Sequence, residues 1–231
     1  MSNKRLGVLG GMGPKATAVF FDKVIERTVA NRDQEHLDMV VLNHATLPDR
    51  TEIILNNEDE VFLQAIRRNF ELLEYAEVSH IAIPCNTSHY FYNEMQAMTR
   101  IPIINMVEET LKEIQATYGT DCRIGIMATD GTIKSGVYER ACQSKDLQLY
   151  RPDKVLQKRI MDIIYQIKSE LETDVAELES IIWQFIRDMQ CDCVILACTE
   201  LSCVELSESV SRYCVDAMDV LVRRSIELSG K

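Results

Sequence analysis

Short apolar runs alternate along the chain with longer segments whose apolar residues recur every three to four positions. The runs cover about 5–9, 39–42, 80–83, 101–105, 123–127, 147–150, 193–196 and 213–216. Each is short and rich in Val, Ile or Leu, as a buried strand requires. The helical period predicts helices over about 16–28, 58–76, 90–95, 106–117, 137–142, 155–171, 174–189 and 217–228. Phe62, Ala65, Ile66, Phe70 and Leu73 mark one such apolar face. Leu178, Ile181, Ile182, Phe185 and Ile186 mark another. Strands alternating with helices predict an α/β fold, with mainly parallel sheets flanked by helices.

The pattern restarts halfway. Arg5-Leu6-Gly7-Val8-Leu9 is mirrored 118 residues later by Arg123-Ile124-Gly125-Ile126-Met127. Pro84-Cys85-Asn86-Thr87-Ser88-His89 closes the strand at 80–83, and Ala197-Cys198-Thr199-Glu200-Leu201 closes the strand at 193–196. The two cysteines are 113 residues apart, in the same order relative to their glycine strands. This repetition predicts an internal duplication: two similar Rossmann-like α/β domains whose strand ends face one cleft. The expected first domain is 1–105, with the final helix, 216–231, returning to it. The expected second domain is 106–215.

The candidate chemistry sits at those strand ends, where open α/β sheets keep their sites. A cysteine before a helix N-terminus has its thiolate favoured by the helix dipole. Cys122, Cys142, Cys191, Cys193, Cys203 and Cys214 read as small core residues instead. Cys191, Cys193, Cys198 and Cys203 lack the spacing of paired zinc ligands, and strand alternation splits them between faces, so no metal is expected. Two facing thiols suit racemisation, in which a thiolate takes a proton from one side of a carbon and a thiol delivers one to the other. The carbanion then needs donors around its carboxylate. Asn86, Thr87 and Thr199 are placed for this, with Thr129 in the mirrored turn. Met12 is expected to line the cleft. His89 reads as an anchor of the Cys85 turn rather than a catalytic base. Glu200 is open to two uses, orienting Cys198 or serving as an acid in a first helical turn.

Gly11, Gly13 and Ala16 satisfy G-x-G-x-x-A, but the strand at 39–42 ends in Asn43-His44, without the acidic residue a dinucleotide's ribose needs. The loop Gly10-Gly11-Met12-Gly13-Pro14 reads better as a nest of N–H groups for a small anion. Thr46-Leu47-Pro48-Asp49-Arg50-Thr51 reads as a polar loop on the same side of the sheet.

Composition narrows the setting. The 231 residues, 46% hydrophobic, suffice for a packed core. The formal charge of −11 and the absence of a basic cluster argue against nucleic acid. An anionic ligand would therefore need cations placed locally. No run of about 18 apolar residues is present, so no membrane span is expected. Met1-Ser2-Asn3-Lys4-Arg5 is basic, but the following Leu6–Gly10 is too short and glycine-rich for a signal-peptide core. A cytoplasmic protein with reduced thiols is the expectation.

Four motifs carry a resemblance through the whole chain: Gly10-Gly11-Met12-Gly13-Pro14, Pro48-Asp49-Arg50-Thr51, Pro84-Cys85-Asn86-Thr87 and Ala197-Cys198-Thr199-Glu200-Leu201. They resemble the aspartate/glutamate racemase superfamily, aspartate racemase branch. Glutamate racemases of that superfamily carry Cys-Thr-His at the second cysteine, where Glu200 stands here. The resemblance implies a cofactor-independent amino-acid racemase, usually a homodimer, acting on a dicarboxylic amino acid with Cys85 and Cys198 as acid and base. It implies Arg50 and Lys168 as partners of the substrate's side-chain carboxylate. Lys168 is placed by Ile164-Tyr165-Gln166-Ile167-Lys168-Ser169-Glu170. Competing expectations are a sister reaction, such as maleate isomerisation or hydantoin racemisation, and a non-catalytic binder of small dicarboxylates.

Overall fold

The computed structural model describes residues 4–169 and 173–231. Seven strands among them form two parallel sheets: β1 (Leu6–Gly10), β2 (Met39–Asn43), β3 (His80–Ala82), β4 (Arg123–Ala128), β5 (Gln148–Tyr150), β6 (Cys193–Ala197) and β7 (Cys214–Asp216). The first sheet runs β2-β1-β3 and the second β5-β4-β6-β7. In each, the glycine strand pairs with the next strand on one side and with the cysteine-bearing strand on the other.

The mirrored glycines do the same job. A Cβ on Gly7 would sit 2.8 Å from Val78 Cγ2, and one on Gly125 would sit 2.6 Å from Phe185 Cδ1. Each lets a large apolar neighbour press onto the middle of its central strand, a fit a side chain would block.

Helices cover both faces of both sheets: α1 (Pro14–Arg27), α2 (Arg50–Asn56), α3 (Asp59–Tyr75), α4 (Tyr92–Ala97), α5 (Met106–Tyr118), α6 (Asp130–Ser135), α7 (Val137–Gln143), α8 (Lys154–Lys168), α9 (Val175–Trp183), α10 (Glu208–Ser211) and α11 (Ala217–Leu228). Strand alternation decides which core each residue joins. Leu6 and Val8 pack with Phe20 of α1 and with Met218, Leu221 and Val222 of α11. Leu9 faces the other way, toward Phe62, Ile66 and Phe70 of α3. In the second sheet, Ile124 and Ile126 pack on Leu111 and Ile114 of α5. Val194 and Leu196 pack on Ile160, Ile164, Ile181 and Phe185. The C-terminal helix thus shares a core with the N-terminal strand. No helix among the described residues is long and apolar enough to cross a membrane.

Several expected elements differ. The run at 101–105 makes only one parallel bridge, Ile81 with Ile103. Pro102 has no N–H to offer a ladder, and Asn105 turns away to cap α5, its Oδ1 accepting from Glu108 N. The expected loop around Arg50 contains the start of α2, capped by Asp49, whose Oδ1 accepts from Thr51 N and Glu52 N. The mirrored turn that holds Thr129 likewise leads straight into α6 from Asp130, with Thr129 as cap. The helix at 174–189 is α9 followed by a π-helical turn, Gln184–Asp188. The expected helix end at Leu171, Glu170 of the motif around Lys168, and Met1-Ser2-Asn3 of the basic N-terminus lie outside the described residues.

Candidate active site

The carboxyl ends of β1, β3, β4 and β6 converge on one cavity. Met12 follows β1, Cys85 follows β3, Thr129 follows β4 and Cys198 follows β6; all four line it. Arg50, Asn86, Thr87, Lys168, Thr199 and Glu200 complete the set singled out in the sequence. Asp49 and Thr51, which flank Arg50 in its motif but carry no role expected from the sequence, also line it. The enclosed volume is about 10 Å³, room for about one water.

Cys85 is held by its backbone. Its N–H donates to Ile83 O at 2.8 Å. Its carbonyl accepts from Ser88 Oγ at 2.8 Å and from His89 Nδ1 at 2.9 Å. His89 Nε2 accepts from Met106 N at 3.1 Å, so the ring proton belongs on Nδ1. Burial lowers the pKa of His89 and keeps it neutral. Both ring nitrogens serve backbone groups, so His89 anchors the turn and holds no proton relay to the thiol. Among the described residues, the Cys85 thiol has no side-chain hydrogen-bond partner.

Cys198 is held through its thiol. Its Sγ donates to Glu200 Oε2 at 3.0 Å. Burial first, and then the Glu200 carboxylate, raise its pKa well above the usual value; Lys168 opposes them. Glu200 itself is buried, and its room comes from the other half: a Cβ on Gly13 would lie 3.1 Å from Glu200 Oε1. Cys193 packs in one core with Ile195 while Cys198 packs in the other, as strand alternation requires; Cys191, ahead of β6, lies on the Cys198 side.

Arg50 is a buried cation, 8% exposed. Its guanidinium donates to Pro48 O at 2.8 Å and Leu47 O at 3.4 Å, while Nε has no partner. Among the described residues no carboxylate lies within salt-bridge distance of it. A desolvated cation without an anion is costly, and Arg50 has only these carbonyl oxygens to offset it. Lys168 ends α8 and lines the same cavity, although much of the residue is exposed. Burial acts to lower its pKa, but Glu200, Cys198, Asp49 and Cys85 outweigh that and raise it.

Thr87, Thr129 and Thr132 form a closed triangle of buried hydroxyls, with sides of 3.0, 2.9 and 3.1 Å. Thr87 comes from the first sheet's side and the other two from the second's. Nearby, α6 approaches α2 so closely that a Cβ on Gly131 would lie 2.7 Å from Thr51 Cα. That glycine was the sequence signal for Thr51, legible only once the two halves are known to touch. The glycine-rich loop corrects an expectation: Gly11 N–H already donates to Thr17 Oγ1 at 2.8 Å. The hydroxyl donates on to Gly13 O, so the loop is braced from within and its Gly11 N–H is not free for an anion.

Two parallel sheets thus bring two thiols, at matched strand ends, to the wall of one cavity, an α/β architecture that keeps its site at the strands' carboxyl ends. A family model described as Asp/Glu/Hydantoin racemase matches residues 9–224, and the chain belongs to that family: it is an isomerase of the racemase type. The broad specificity amino-acid racemase RacX of Bacillus subtilis (strain 168) is 29% identical over 206 residues, 86% of each chain. The structure of Picrophilus torridus aspartate racemase matches with a TM-score of 0.83 at 27% identity, over 99% of this chain and 95% of that one. Glutamate racemase from Francisella tularensis subsp. tularensis SCHU S4, solved with D-glutamate, matches in fold, with a TM-score of 0.64 at 18% identity over 99% and 81%.

Proposed function

We propose that this protein interconverts L- and D-aspartate, with glutamate as a second candidate, using Cys85 and Cys198 as the two acid/bases. The observation that carries the reading is the shared cavity: both thiols line it together with Arg50, a buried cation lacking a carboxylate. The Cys85 thiolate takes the α-proton, leaving its electron pair on the α-carbon and carboxylate. The Cys198 thiol delivers a proton to the opposite face and becomes the thiolate. The reverse reaction exchanges the roles. Arg50 and Lys168 hold the side-chain carboxylate, supplying the local cations that a chain of net charge −11 must place deliberately. Asn86, Thr87, Thr199 and Thr129 surround the α-carboxylate, where charge develops. A cavity of about 10 Å³ is too small for an amino acid, so its walls part for entry and close on the substrate.

The same reading divides the chain into residues 1–105 with 216–231, and 106–215, one thiol from each. The shared core of α11 with β1 supports that division. A homodimer in the cytoplasm belongs to this reading too, and light scattering tests its oligomeric part.

The test is incubation with L-aspartate in deuterated water without added cofactor, following optical rotation and α-deuterium together, then D-aspartate and L-glutamate. Loss of rotation with deuterium uptake is expected. Uptake with rotation retained would leave one thiol competent and overturn the two-base scheme. Binding without exchange on any of the three would favour a dicarboxylate binder. Turnover of maleate or a hydantoin instead would move the chain to a sister reaction.

A further inference from the structure

We infer that Tyr138 is a positioning residue for this reaction: it fixes the Asn86 amide so that the NH2 end, not the oxygen, faces the substrate's α-carboxylate. The inference rests on the function proposed above. Tyr138 stands in the first turn of α7 and is 1% exposed, its ring packed in the core beneath the second sheet. Its hydroxyl crosses to the turn after Cys85 and donates to Asn86 Oδ1 at 2.6 Å. Asn86 is 2% exposed and lines the cavity. Its Nδ2 is buried with no partner in the protein.

An amide presents two opposite faces: the oxygen accepts and the nitrogen donates. Toward a carboxylate, the oxygen repels and the NH2 attracts. Turning the amide over would set its NH2 against the phenol and leave the phenol's proton without that acceptor. Burial raises the pKa of Tyr138, so the phenol keeps the proton it donates to Oδ1. Both Nδ2 hydrogens are thus left without a partner in the protein, beside the cavity that Asn86 lines. A buried donor left open is costly in the empty protein and is satisfied when an anion arrives. Because Tyr138 and Asn86 belong to opposite sheets, the amide is locked only while those sheets are held together. The donor is then ready when the cavity is closed around substrate.

The experiment compares Tyr138→Phe, Asn86→Ala and the double variant in aspartate racemisation. Tyr138→Phe keeps the ring and removes the hydroxyl. Its kcat/KM is expected to fall about 10- to 100-fold, the scale of a small misplacement at a reacting centre. More of the fall is expected in kcat than in KM, because charge on the α-carboxylate grows toward the transition state. In the Asn86→Ala background the same change should cost less than about twofold, since residues acting through one another are not additive. A full loss in that background, or wild-type kinetics in Tyr138→Phe, overturns the inference while leaving the proposed function standing. A wild-type protein that exchanges no α-proton overturns the function itself, and this inference with it. Where Tyr138→Phe does not fold, Asn86→Asp carries the test. Replacing the NH2 by oxygen should lower kcat/KM below that of Asn86→Ala, and an Asn86→Asp variant as active as wild type overturns the inference.

Discussion

Cys85 and Cys198 end matched strands, yet the chain holds them in different ways. Around Cys85, the neighbouring side chains grip the backbone: Ser88 and His89 both donate to its carbonyl. The thiol is left to the cavity. Around Cys198, the thiol itself is bonded, to Glu200 at 3.0 Å. A carboxylate beside a thiol penalises the thiolate, so the resting site keeps its proton on Cys198. Equal positions in the fold thus hold their thiols in unequal ways, Cys85 by its backbone and Cys198 through its sulfur. The two-base scheme proposed above can use that difference, because at each moment it needs one thiol as acid and the other as base.

The largest effect that can break this comparison is loss of either sulfur. Cys85→Ser and Cys198→Ser should each lower racemisation by at least about 10²-fold, since a positioned acid or base contributes that much or more. Their residual chemistry should differ. With Cys85 intact, Cys198→Ser should still wash deuterium into one enantiomer with its rotation retained. Cys85→Ser should wash less into the other, because Cys198 starts protonated. Equal washout in the two variants would remove the asymmetry and leave only the pair. Wild-type racemisation in either would remove the pair.

Glu200→Gln sharpens the same point at smaller cost. The amide oxygen can still accept from the thiol, but the negative charge is gone. The Cys198 pKa should fall. When Cys198 is the base, activity rises through its pKa, so that limb of the kcat/KM profile moves to lower pH. When Cys198 is the acid, activity falls above its pKa, and that limb moves to lower pH as well. Profiles measured in both directions check the sign. A profile that does not move would mean that burial alone, the larger of the two causes, sets the thiol's pKa.

The paired stations were legible because they are local. Each is a short apolar run, a cysteine and a polar turn, and Gly7 and Gly125 mark the same close packing in both halves. The terminal helix 217–228 was readable from its apolar period alone. What escaped depends on contacts between distant residues. Arg50 was read as part of a loop because a seven-residue helix shows too little period to declare itself, and only the capping by Asp49 hints at it. The expected anion nest loses one donor for the same reason, since Thr17 lies beyond the glycine motif and takes the Gly11 N–H. Asp49, Thr51 and Tyr138 reach the site from segments whose facing partners the sequence does not name. The strand at 101–105 failed for a local reason that was readable, the missing N–H of Pro102.

The smallest effect tests how each station answers to pH, and it separates them by sign. His89 is buried and neutral, with its pKa below the ordinary value. Below about pH 6.5 the unfolded chain binds a proton that the folded site refuses, so stability must fall with falling pH, by up to about 1.4 kcal/mol per unit for one group. His80, buried against Ser225 O and Ser229 Oγ, adds to the same slope. Cys198 acts at the other end. Its folded pKa is raised, so above about pH 8.5 the unfolded thiol ionises while the folded one does not, and stability falls as pH rises. Urea midpoints between pH 5 and 10 should therefore decline on both sides of a neutral maximum. His89→Gln should flatten the acid side only. Cys198→Ser should flatten part of the alkaline side, leaving the contribution of core thiols such as Cys142 and Cys214, each pushed up to about 12. An acid slope unchanged in His89→Gln would mean that His89 takes up its proton in the folded protein, and that the anchor of the Cys85 turn is lost on acidification before the fold is.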